Sequence, residues 1–282
     1  MRVSIISDLH LEFAGLSDLP GGDVLILAGD ILTVRHLRSN KTDADSRSQR
    51  KRFEKFFREE VSKYGRSFYV TGNHEPYSAN IDEMNDVLRQ FLADCAPNTR
   101  LLANETEVID GVAFLGTPLW ASCGVGNPIL EMAIGSGMND FRLIQTNRPA
   151  PEGAAVRMVG NERLFTPRDA NQLHQEAVAW LRSELPKHDR CVVIGHHAPS
   201  LLSAAGDRTE DLDLAYCSNQ HALIEANPQI IAWIHGHTHR EERYQIGETK
   251  IIANPRGYFP EERRSRNFDP AAADFTLWGD AQ

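Results

Sequence analysis

The sequence predicts a mixed α/β fold, and three features of the 282-residue chain support that class. Five short apolar runs have the length and composition of buried strands, and polar residues follow each one directly. These runs occupy residues 3–6, 24–28, 67–70, 191–194 and 230–234. Segments between several runs place apolar residues at helical spacing, as expected for crossovers between parallel strands. The pair Asp110 and Gly111, between two further apolar runs, is a hairpin signal that adds antiparallel strands.

The first half of the chain predicts repeated β-α-β units. A turn at residues 20–23 separates the first two strands, and residues 33–48 are polar and irregular. A helix is expected over about residues 50–63, because apolar side chains recur there every three or four positions. These side chains are Phe53, Phe56, Phe57 and Val61. Residues 81–95 repeat the pattern, so a second helix is expected to end before Pro97 and to cover the sheet.

A hairpin and a long insertion are expected next. The hairpin strands flank the Asp-Gly turn at residues 105–109 and 112–119. Residues 121–165 are rich in Gly, Pro and Asn without a clean period, which is typical of a long irregular insertion. Together with a shorter insertion near residues 33–50, this segment is expected to lie over the strand ends that carry the polar residues.

The last third of the chain predicts one long helix and several short elements. Thr166 can cap a helix, Pro167 suits its first turn, and Asp169 is the acid favoured near its N-terminus. This helix is expected to reach about Leu185. The remaining expected elements are a short helix at residues 219–225 and a closing hairpin that pairs residues 244–246 with residues 250–253.

Composition excludes some classes of partner. With 30 Lys and Arg against 39 Asp and Glu, the net charge of −9 argues against a general polyanion-binding surface. Residues 35–58 are an exception, since nine Lys or Arg against three acids give a local balance of +6. Either a basic lip that guides anionic substrates or an ordinary solvated helix face explains this segment.

Cysteine usage and the N-terminus favour a cytoplasmic protein. Cys95, Cys123, Cys191 and Cys217 form no C-x-x-C pair of the kind that binds zinc, and their spacing does not suggest a disulfide framework. Cys191 begins an apolar strand and is most simply a buried reduced thiol. The N-terminus runs directly into the first strand, and no apolar window has the length to span a membrane. We therefore expect no membrane partner and a cytoplasmic location.

Residues with metal-ligand chemistry follow each of the five predicted strands. In chain order they are Asp8 with His10, Asp30, Asn73 with His74, His196, and His237 with His239. Because neighbouring strands of an open α/β sheet end at one edge, these clusters point to a single site. Any one alone is better explained as a cap, a turn or an ordinary histidine, whereas five at strand ends are not. Carboxylate, imidazole and amide oxygen together suit Mn²⁺, Fe or Zn²⁺ better than Mg²⁺ or Ca²⁺.

The order of these clusters resembles the calcineurin-like metallophosphoesterase superfamily. Its signature blocks D-x-H, G-D, G-N-H-D/E, H and G-H-x-H occur here at residues 8–10, 29–30, 72–75, 196 and 236–239. Similarity to a bacterial-type branch extends through residues 138–141, 196–200, 233–239 and 254–258. The resemblance covers nearly the whole chain. It implies one domain over residues 1–282, in which two mixed sheets pack together with helices on both outer faces as a four-layer αββα sandwich.

The resemblance also implies a dinuclear metal centre. It assigns Asp8, His10 and His239 to one metal ion, Asn73, His196 and His237 to the other, and Asp30 to both as a bridge. Two divalent ions outweigh the two carboxylates and a bridging hydroxide, which leaves a positive field for a phosphoryl group. The implied reaction is attack of that metal-bridging hydroxide on a phosphate ester, so a side-chain nucleophile is unnecessary.

Four further residues are candidates for contact with the substrate. His74 follows a proposed ligand, and the resemblance implies that it acts as the general acid on the leaving oxygen. Arg256 is a weaker candidate either for a contact that supports the metal ligands or for a phosphate contact, with an ordinary surface arginine as the alternative. Asn139 and Asp140 resemble a recurrent element of the family and are candidates to line the pocket, with structural capping as the alternative.

The ligand pattern does not distinguish among phosphoesterases. We favour a phosphodiesterase over a phosphomonoesterase or phosphoprotein phosphatase. The acidic total disfavours a duplex-DNA nuclease and leaves a nucleotide or a short single strand as possible nucleic-acid substrates. A non-catalytic scaffold of the same fold is the alternative of another class, although all seven ligand positions are filled. Other metallohydrolases fit poorly, because their H-x-H motifs lie early in the chain and this one lies at residues 237–239.

Overall fold

A computed structural model of the protein describes residues 1–38, 40–204 and 210–277. Within those ranges the strands are β1 (Arg2–Ile6), β2 (Gly22–Ala28), β3 (Tyr64–Val70), β4 (Thr99–Leu101), β5 (Glu105–Ile109), β6 (Val112–Gly116), β7 (Gln145–Thr146), β8 (Met158–Val159), β9 (Glu162–Leu164), β10 (Cys191–Ile194), β11 (Ile230–His235), β12 (Glu242–Ile246), β13 (Thr249–Ala253) and β14 (Phe275–Thr276). The α-helices there are α1 (Ala44–Lys55), α2 (Ile81–Cys95), α3 (Pro128–Gly137), α4 (Asp140–Leu143), α5 (Pro167–Glu184), α6 (Glu210–Tyr216) and α7 (His221–Glu225).

Two mixed sheets form the centre of the fold. One has the strand order β14-β1-β2-β3-β4, and the other has the order β12-β13-β11-β10-β6-β5. Strands β1 to β4 run parallel, as do β6, β10, β11 and β13, whereas β14, β5 and β12 pair antiparallel at the sheet edges. All five strands that precede a polar cluster therefore lie among the parallel strands.

Alternation along the strands assigns each side chain to one of three cores. In β2, Val24 and Ile26 face the core between the two sheets, while Leu25 and Leu27 face the helices on the outside. Helices α1 and α2 cover the outer face of the first sheet, and α5 and α7 cover that of the second. The order helix, sheet, sheet, helix confirms the predicted αββα sandwich.

Helix α1 begins earlier than expected. Asp43 caps it by accepting a hydrogen bond from the backbone N–H of Ser46 at 2.9 Å, so the helix starts at Ala44 rather than near residue 50. The segment at 44–52 is polar because most of this face is solvated. Beyond Lys55 the chain continues as a π-helical turn, Phe56–Glu60, before β3.

The segment at residues 121–165 is more regular than expected. It contains α3, α4 and a small sheet of order β7-β9-β8 instead of a continuous irregular loop. Asn127 caps α3 and Pro128 opens it, but Ile129 and Met132 are 71% and 68% exposed. Because these apolar residues point to solvent, the segment has no amphipathic period by which the sequence would have revealed the helix.

An ion pair anchors this small sheet to α5. Buried Arg163, in β9, binds the Asp169 carboxylate with both terminal nitrogen atoms, at 2.6 and 2.7 Å. Asp169 also completes the capping box with Thr166, which confirms the predicted start of the helix. The buried charges of Arg163 and Asp169 thus neutralise each other where the 121–165 segment meets α5.

Several smaller predictions are confirmed. Helix α2 has the predicted bounds, and Asp110 and Gly111 both adopt positive φ between β5 and β6. All four cysteines are free and buried. Within the parts of the chain that the structure describes, no helix has both the length and the apolar character that crossing a membrane requires.

Candidate metal centre

The seven predicted ligands converge where β1, β2, β3, β10 and β11 end. Two groups of potential ligand atoms, each with its members within 4.8 Å of one another, are Asp8 with His10 and His239, and Asp30 with His196 and His237. A third such group, His10 with Asp30 and His74, shares one member with each of them. Asn73 joins the second group, because its Oδ1 atom lies 3.1 Å from His196 Nε2. The two groups correspond to the two predicted metal positions.

Carboxylates orient both imidazoles of the first group. His10 Nε2 and His239 Nε2 face each other at 3.2 Å, and His239 Nε2 lies 3.5 Å from Asp8 Oδ1. The Nδ1 atom of His10 lies 3.3 Å from Glu12 Oε1, and that of His239 lies 2.6 Å from Glu262 Oε1. Because each carboxylate accepts the Nδ1 proton, both Nε2 atoms present lone pairs to the same point.

The second group is oriented in the same way. His196 Nδ1 donates to the carbonyl oxygen of Ala28 at 2.9 Å, which leaves a lone pair on Nε2. That atom lies 3.4 Å from Asp30 Oδ2. Asn73 donates its Nδ2 proton to Asp140 Oδ1 at 2.8 Å, so its own Oδ1 atom points toward the histidine as an acceptor. Lone pairs of three different side chains therefore meet here.

Asp30 lies between the two groups. Its Oδ2 atom is 4.0 Å from His10 Nε2 and 3.4 Å from His196 Nε2, and its Oδ1 atom accepts from the backbone N–H of His74 at 2.8 Å. Burial opposes its ionisation, but the nearby His196 and His74 imidazoles hold the pKa of Asp30 well below its ordinary value. Asp30 is thus an ionised carboxylate placed to touch a cation on either side.

The donor set fits divalent cations. Burial disfavours a charged His196, yet the adjacent Asp30 carboxylate outweighs that effect and raises the pKa of His196 to about 10. The raised pKa shows that the Asp30 carboxylate and the neighbouring lone pairs attract positive charge. Either protons or metal ions can supply that charge. Mixed nitrogen and oxygen donors of this kind suit Mn²⁺, Fe or Zn²⁺.

The backbone of the ligand loops is strained. Asp8, His10, Asp30, His237 and His239 have φ values of 51°, 45°, 55°, 66° and 54°, a region that side chains with a Cβ atom rarely adopt. Each such residue costs about 1–3 kcal/mol, and strain of this kind persists at functional sites where surrounding contacts enforce it. The sequence carries no signal for this strain.

Three glycines give the ligands room. A Cβ atom on Gly29 would lie 2.2 Å from His196 Nδ1, and one on Gly72 would lie 2.2 Å from Asp30 Oδ1. On Gly236 it would lie 2.5 Å from the Asp8 carboxylate. A bare backbone in front of each loop therefore allows ligands from neighbouring strands to approach one another.

Glu75 fixes two of the ligand loops. Its carboxylate accepts hydrogen bonds from the backbone N–H groups of Asp30, Ile31 and Gly72 at 3.1, 2.8 and 2.7 Å. The Tyr69 hydroxyl donates to it at 2.7 Å. This buried carboxylate thus joins the loop after β2 to the loop after β3. Sequence reasoning assigned it no role, although its place in the G-N-H-E block marked it.

His74 stands beside the ligands. Its Nε2 atom is 3.1 Å from the Tyr258 hydroxyl, its Nδ1 atom is 3.8 Å from Glu12 Oε1, and its ring stacks on Tyr77 at 4.1 Å. Burial opposes its protonation, but the Asp30 and Glu12 carboxylates raise the pKa of His74 to about 9. These carboxylates therefore favour the protonated imidazole at the edge of the site.

Two cavities meet at His74. The first has a volume of about 520 Å³ and includes Asp30, Asn73, His237 and His239 in its lining. The second has a volume of about 720 Å³, and Phe13, Arg35 and Gln49 are part of its lining. The two cavities share His74, Tyr77, Asn139 and Tyr258. A substrate can therefore occupy both sides of the imidazole.

Comparison with known proteins agrees with this geometry. A sequence model of the family described as calcineurin-like phosphoesterase matches residues 1–241. The chain belongs to the calcineurin-like phosphoesterase family. Members hydrolyse phosphate esters with a dinuclear metal centre, so the chain is a metal-dependent phosphoesterase.

Two relatives show how far the likeness extends. An uncharacterized protein of Acanthamoeba polyphaga mimivirus is 28% identical over 286 residues, which cover 95% of this chain and 94% of the viral protein. The crystal structure of a phosphopantetheinyl hydrolase from Mycobacterium tuberculosis superimposes with a TM-score of 0.66 at 18% identity. That match covers 100% of this phosphoesterase and 97% of the other chain, and it shows a shared fold.

The three weaker candidates of the phosphoesterase occupy different positions. Asn139 lines both cavities, in agreement with the expectation. Asp140 is buried, and its carboxylate is occupied by Asn73 and Tyr77, so it orients a ligand rather than lining the pocket. Arg256 is also buried.

The guanidinium of Arg256 does not point to the cavities. It donates to the carbonyl oxygens of Leu9 and Ala14 at 3.4 and 3.1 Å, and lies 4.9 Å from the centre of the Phe259 ring. Arg256 therefore supports the loop that carries Asp8 and His10. A contact that supports the metal ligands was one of the roles considered from the sequence, and the buried position rules out the alternative of an ordinary surface arginine.

Most of the basic segment at residues 35–58 is a solvated helix face. Arg38 pairs with Glu83, Arg50 with Glu54 and Lys55 with Glu59, while Arg52 donates to the carbonyl oxygens of Leu11 and Glu12. Arg35 differs, because it lies before α1 and lines the second cavity. Arg38, Arg50, Lys55 and Arg52 therefore form ion pairs or hydrogen bonds to the backbone within the protein.

Proposed function

We propose that this phosphoesterase is a phosphodiesterase. The observation that carries the proposal is the pair of cavities on the two sides of His74. A phosphate diester has two organic arms, and each arm needs a separate space when the phosphoryl group lies at the metal centre. A monoester would need only one of these spaces.

In this proposal the two ligand groups hold two metal ions. Asp8, His10 and His239 bind one ion, Asn73, His196 and His237 bind the other, and Asp30 touches both. Bound metal ions of this kind lower the pKa of a water molecule and stabilise negative charge on phosphoryl oxygens. Mn²⁺, Fe and Zn²⁺ are the proposed metals, because the donor set mixes imidazole nitrogen with oxygen.

His74 is the proposed general acid. When the bond from phosphorus to the leaving oxygen breaks, that oxygen takes a proton from His74 Nε2 and departs as an alcohol. Glu12 and Asp30 stabilise the protonated imidazole before this step. Stacking on Tyr77 and the contact with the Tyr258 hydroxyl fix the plane of the ring.

The test is hydrolysis of matched aryl phosphate diester and monoester substrates by protein reconstituted with Mn²⁺, together with a metal count. We expect two metal ions per chain and a higher kcat/KM for the diester. A phosphopantetheinyl ester belongs in the same panel, because a phosphopantetheinyl hydrolase shares the fold. Preference for the monoester would make the protein a phosphatase and contradict the proposal. Absence of bound metal would support the non-catalytic scaffold instead.

A further inference from the structure

We propose that the second cavity is the leaving-group subsite and that it takes an uncharged alcohol with a planar ring, such as a nucleoside, from a substrate diester. The inference rests on the proposed phosphodiesterase activity and specifies its substrate class. Phe13 is the residue to which we assign the specificity. Position, shape and charge of the cavity support this assignment independently.

Position determines which arm enters the second cavity. The ligands Asp30, Asn73, His237 and His239 line the first cavity and not the second, so the phosphoryl group must lie in the first. His74 lines both. An oxygen that takes its proton from His74 can therefore carry an arm that extends into the second cavity. The bond from phosphorus to this oxygen breaks, water supplies the new oxygen on phosphorus, and the products are an alcohol and a phosphate monoester.

Shape favours a flat arm. Phe13 is 56% exposed although it borders a buried site, and its ring meets Tyr258 edge to face at 5.8 Å and 82°. Leu143, which also lines the cavity, is 36% exposed. The tyrosine fixes the orientation of the phenylalanine, so one apolar face is left for a ring to stack on.

Polar groups favour a heterocycle over a hydrocarbon. Thr33 and Gln49 belong to the lining of this cavity, and the Thr33 hydroxyl and the Gln49 amide oxygen, which are buried in this arrangement, have no hydrogen-bond partner among the residues that the structure describes. Gln49 uses its amide nitrogen to bind Asp45 at 3.1 Å, which leaves its oxygen as an acceptor. Buried polar atoms without partners are costly, so a ligand edge with donors and acceptors would satisfy these two once their side chains rotate toward the cavity, whereas a hydrocarbon edge would not.

Charge disfavours an arm that carries a second phosphate. The lining contains the cation of Arg35, but it also contains Asp45 and Glu261. Glu12 adds a further carboxylate to the lining. The cavity therefore has no excess of positive charge to bind an additional anion.

Two diesters with leaving groups of similar acidity test the inference. Methyl 4-nitrophenyl phosphate releases one ring, and methyl 4-methylumbelliferyl phosphate releases two fused rings. With the Mn²⁺-loaded protein, we expect kcat/KM for the two-ring substrate to be higher by about 5- to 10-fold. Phe13→Ala should bring this ratio close to 1, Phe13→Trp should retain it, and Val108→Ala on the exposed edge of β5 should leave it unchanged.

A binding measurement gives a second readout. Adenosine, a free alcohol that carries a planar base, should inhibit the wild type competitively and should lose about 10-fold in affinity in Phe13→Ala. An unchanged substrate ratio and unchanged inhibition in Phe13→Ala would overturn the inference while leaving the phosphodiesterase intact. If the metal-loaded wild type hydrolysed neither diesters nor monoesters, the proposed function would fail first, and the inference with it.

Discussion

The proposed ligands are residues whose side chains and backbone are both constrained. Five of the seven have positive φ, although none of them is glycine. Such conformations persist only where surrounding contacts hold them, and here neighbouring carboxylates and backbone groups do so. Asp8, for example, accepts from the backbone N–H of His237 at 2.9 Å while its Oδ2 atom binds Ser7. Each ligand loop is therefore stabilised by contacts from another loop.

Asp30 should control both metal positions. Asp30→Ala removes the carboxylate that lies between the two ligand groups, so the affinity for both ions should fall by more than about 10-fold. Asp8→Ala should weaken mainly one ion, because Asp8 belongs to the first group only. Elemental analysis of Mn²⁺-reconstituted protein measures the difference. Loss of a single ion in Asp30→Ala would mean that Asp30 does not bridge.

Gly72 should be intolerant of even a methyl group. In Gly72→Ala the new Cβ atom would lie 2.2 Å from Asp30 Oδ1 and 2.6 Å from His196 Nε2, so both ligands must move. We expect metal affinity to fall by about 10- to 100-fold. Gly135→Ala in α3 is the matched control, because its Cβ atom meets only Pro167 at 3.4 Å. Equal metal content in the two variants would contradict the steric argument.

His74 should matter most when the leaving group is poor. In His74→Ala the leaving oxygen loses its proton donor, so kcat/KM for an alkyl diester should fall by about 100-fold or more. Aryl esters with acidic leaving groups should be affected much less, and both metal ions should stay bound. His188→Ala, which removes a histidine that binds Glu184, serves as the control. Equal losses for good and poor leaving groups would exclude the general-acid role.

Among the elements, the loops after β2 and β3 behave as one unit because Glu75 binds both. Its four hydrogen bonds come from three backbone N–H groups and the Tyr69 hydroxyl of β3. Aspartate at this position would have a shorter side chain to reach the same donors. The Glu75 side chain therefore fixes the distance between the ends of β2 and β3. The position of the Asp30 carboxylate depends on that distance.

Replacement of Glu75 should destabilise the metal-free protein. Glu75→Gln places an amide donor opposite backbone donors, so the free energy of unfolding should fall by about 1–3 kcal/mol. Tyr69→Phe removes one hydrogen bond and should cost about 1 kcal/mol. Urea denaturation at one pH measures both changes. Glu83→Gln, at an exposed pair with Arg38, should stay within about 0.5 kcal/mol of the wild type. A similarly small effect for Glu75→Gln would show that the hydrogen bonds of the Glu75 carboxylate are not required for stability.

At the scale of the whole molecule, two sheets have to be held face to face. The first provides Asp8, His10, Asp30 and Asn73 from its strand ends, and the second provides the remaining three histidines. Phe68 of β3 and Phe114 of β6 pack across this interface at 4.7 Å, and both are fully buried. The metal centre therefore depends on the apolar core that lies between the two sheets.

Phe114→Ala should test this dependence. Removal of the ring leaves a cavity between the sheets and should lower the free energy of unfolding by about 3–5 kcal/mol. Phe114→Leu keeps most of the volume and should cost less than about 1.5 kcal/mol. Denaturant unfolding with and without Mn²⁺ measures the free energy of unfolding and how much bound metal increases it. If Phe114→Ala unfolded like the wild type, the interface would not carry the stability assigned to it.

The sequence by itself determined the class, the layers and the residues of the candidate centre. Strand-end spacing located Asp8, His10, Asp30 and the other ligands, because the order of strands in a parallel sheet places their ends together. Resemblance to the family supplied the two-sheet sandwich and the grouping of the ligands. Local signals such as the Thr166 cap and the Asp110 turn were sufficient for the elements that they begin.

Only the tertiary structure decided what surrounds that centre. Glu262 orients the His239 imidazole from 23 residues away, and Asp140 reaches Asn73 across 67 residues, so no local pattern identifies them. Helix α3 was missed because two of its apolar residues, Ile129 and Met132, face solvent. Phe13 and Gln49 come together in the second cavity only when the loop after β1 meets α1. Local sequence determines which elements form, whereas contacts between distant segments determine what each side chain touches.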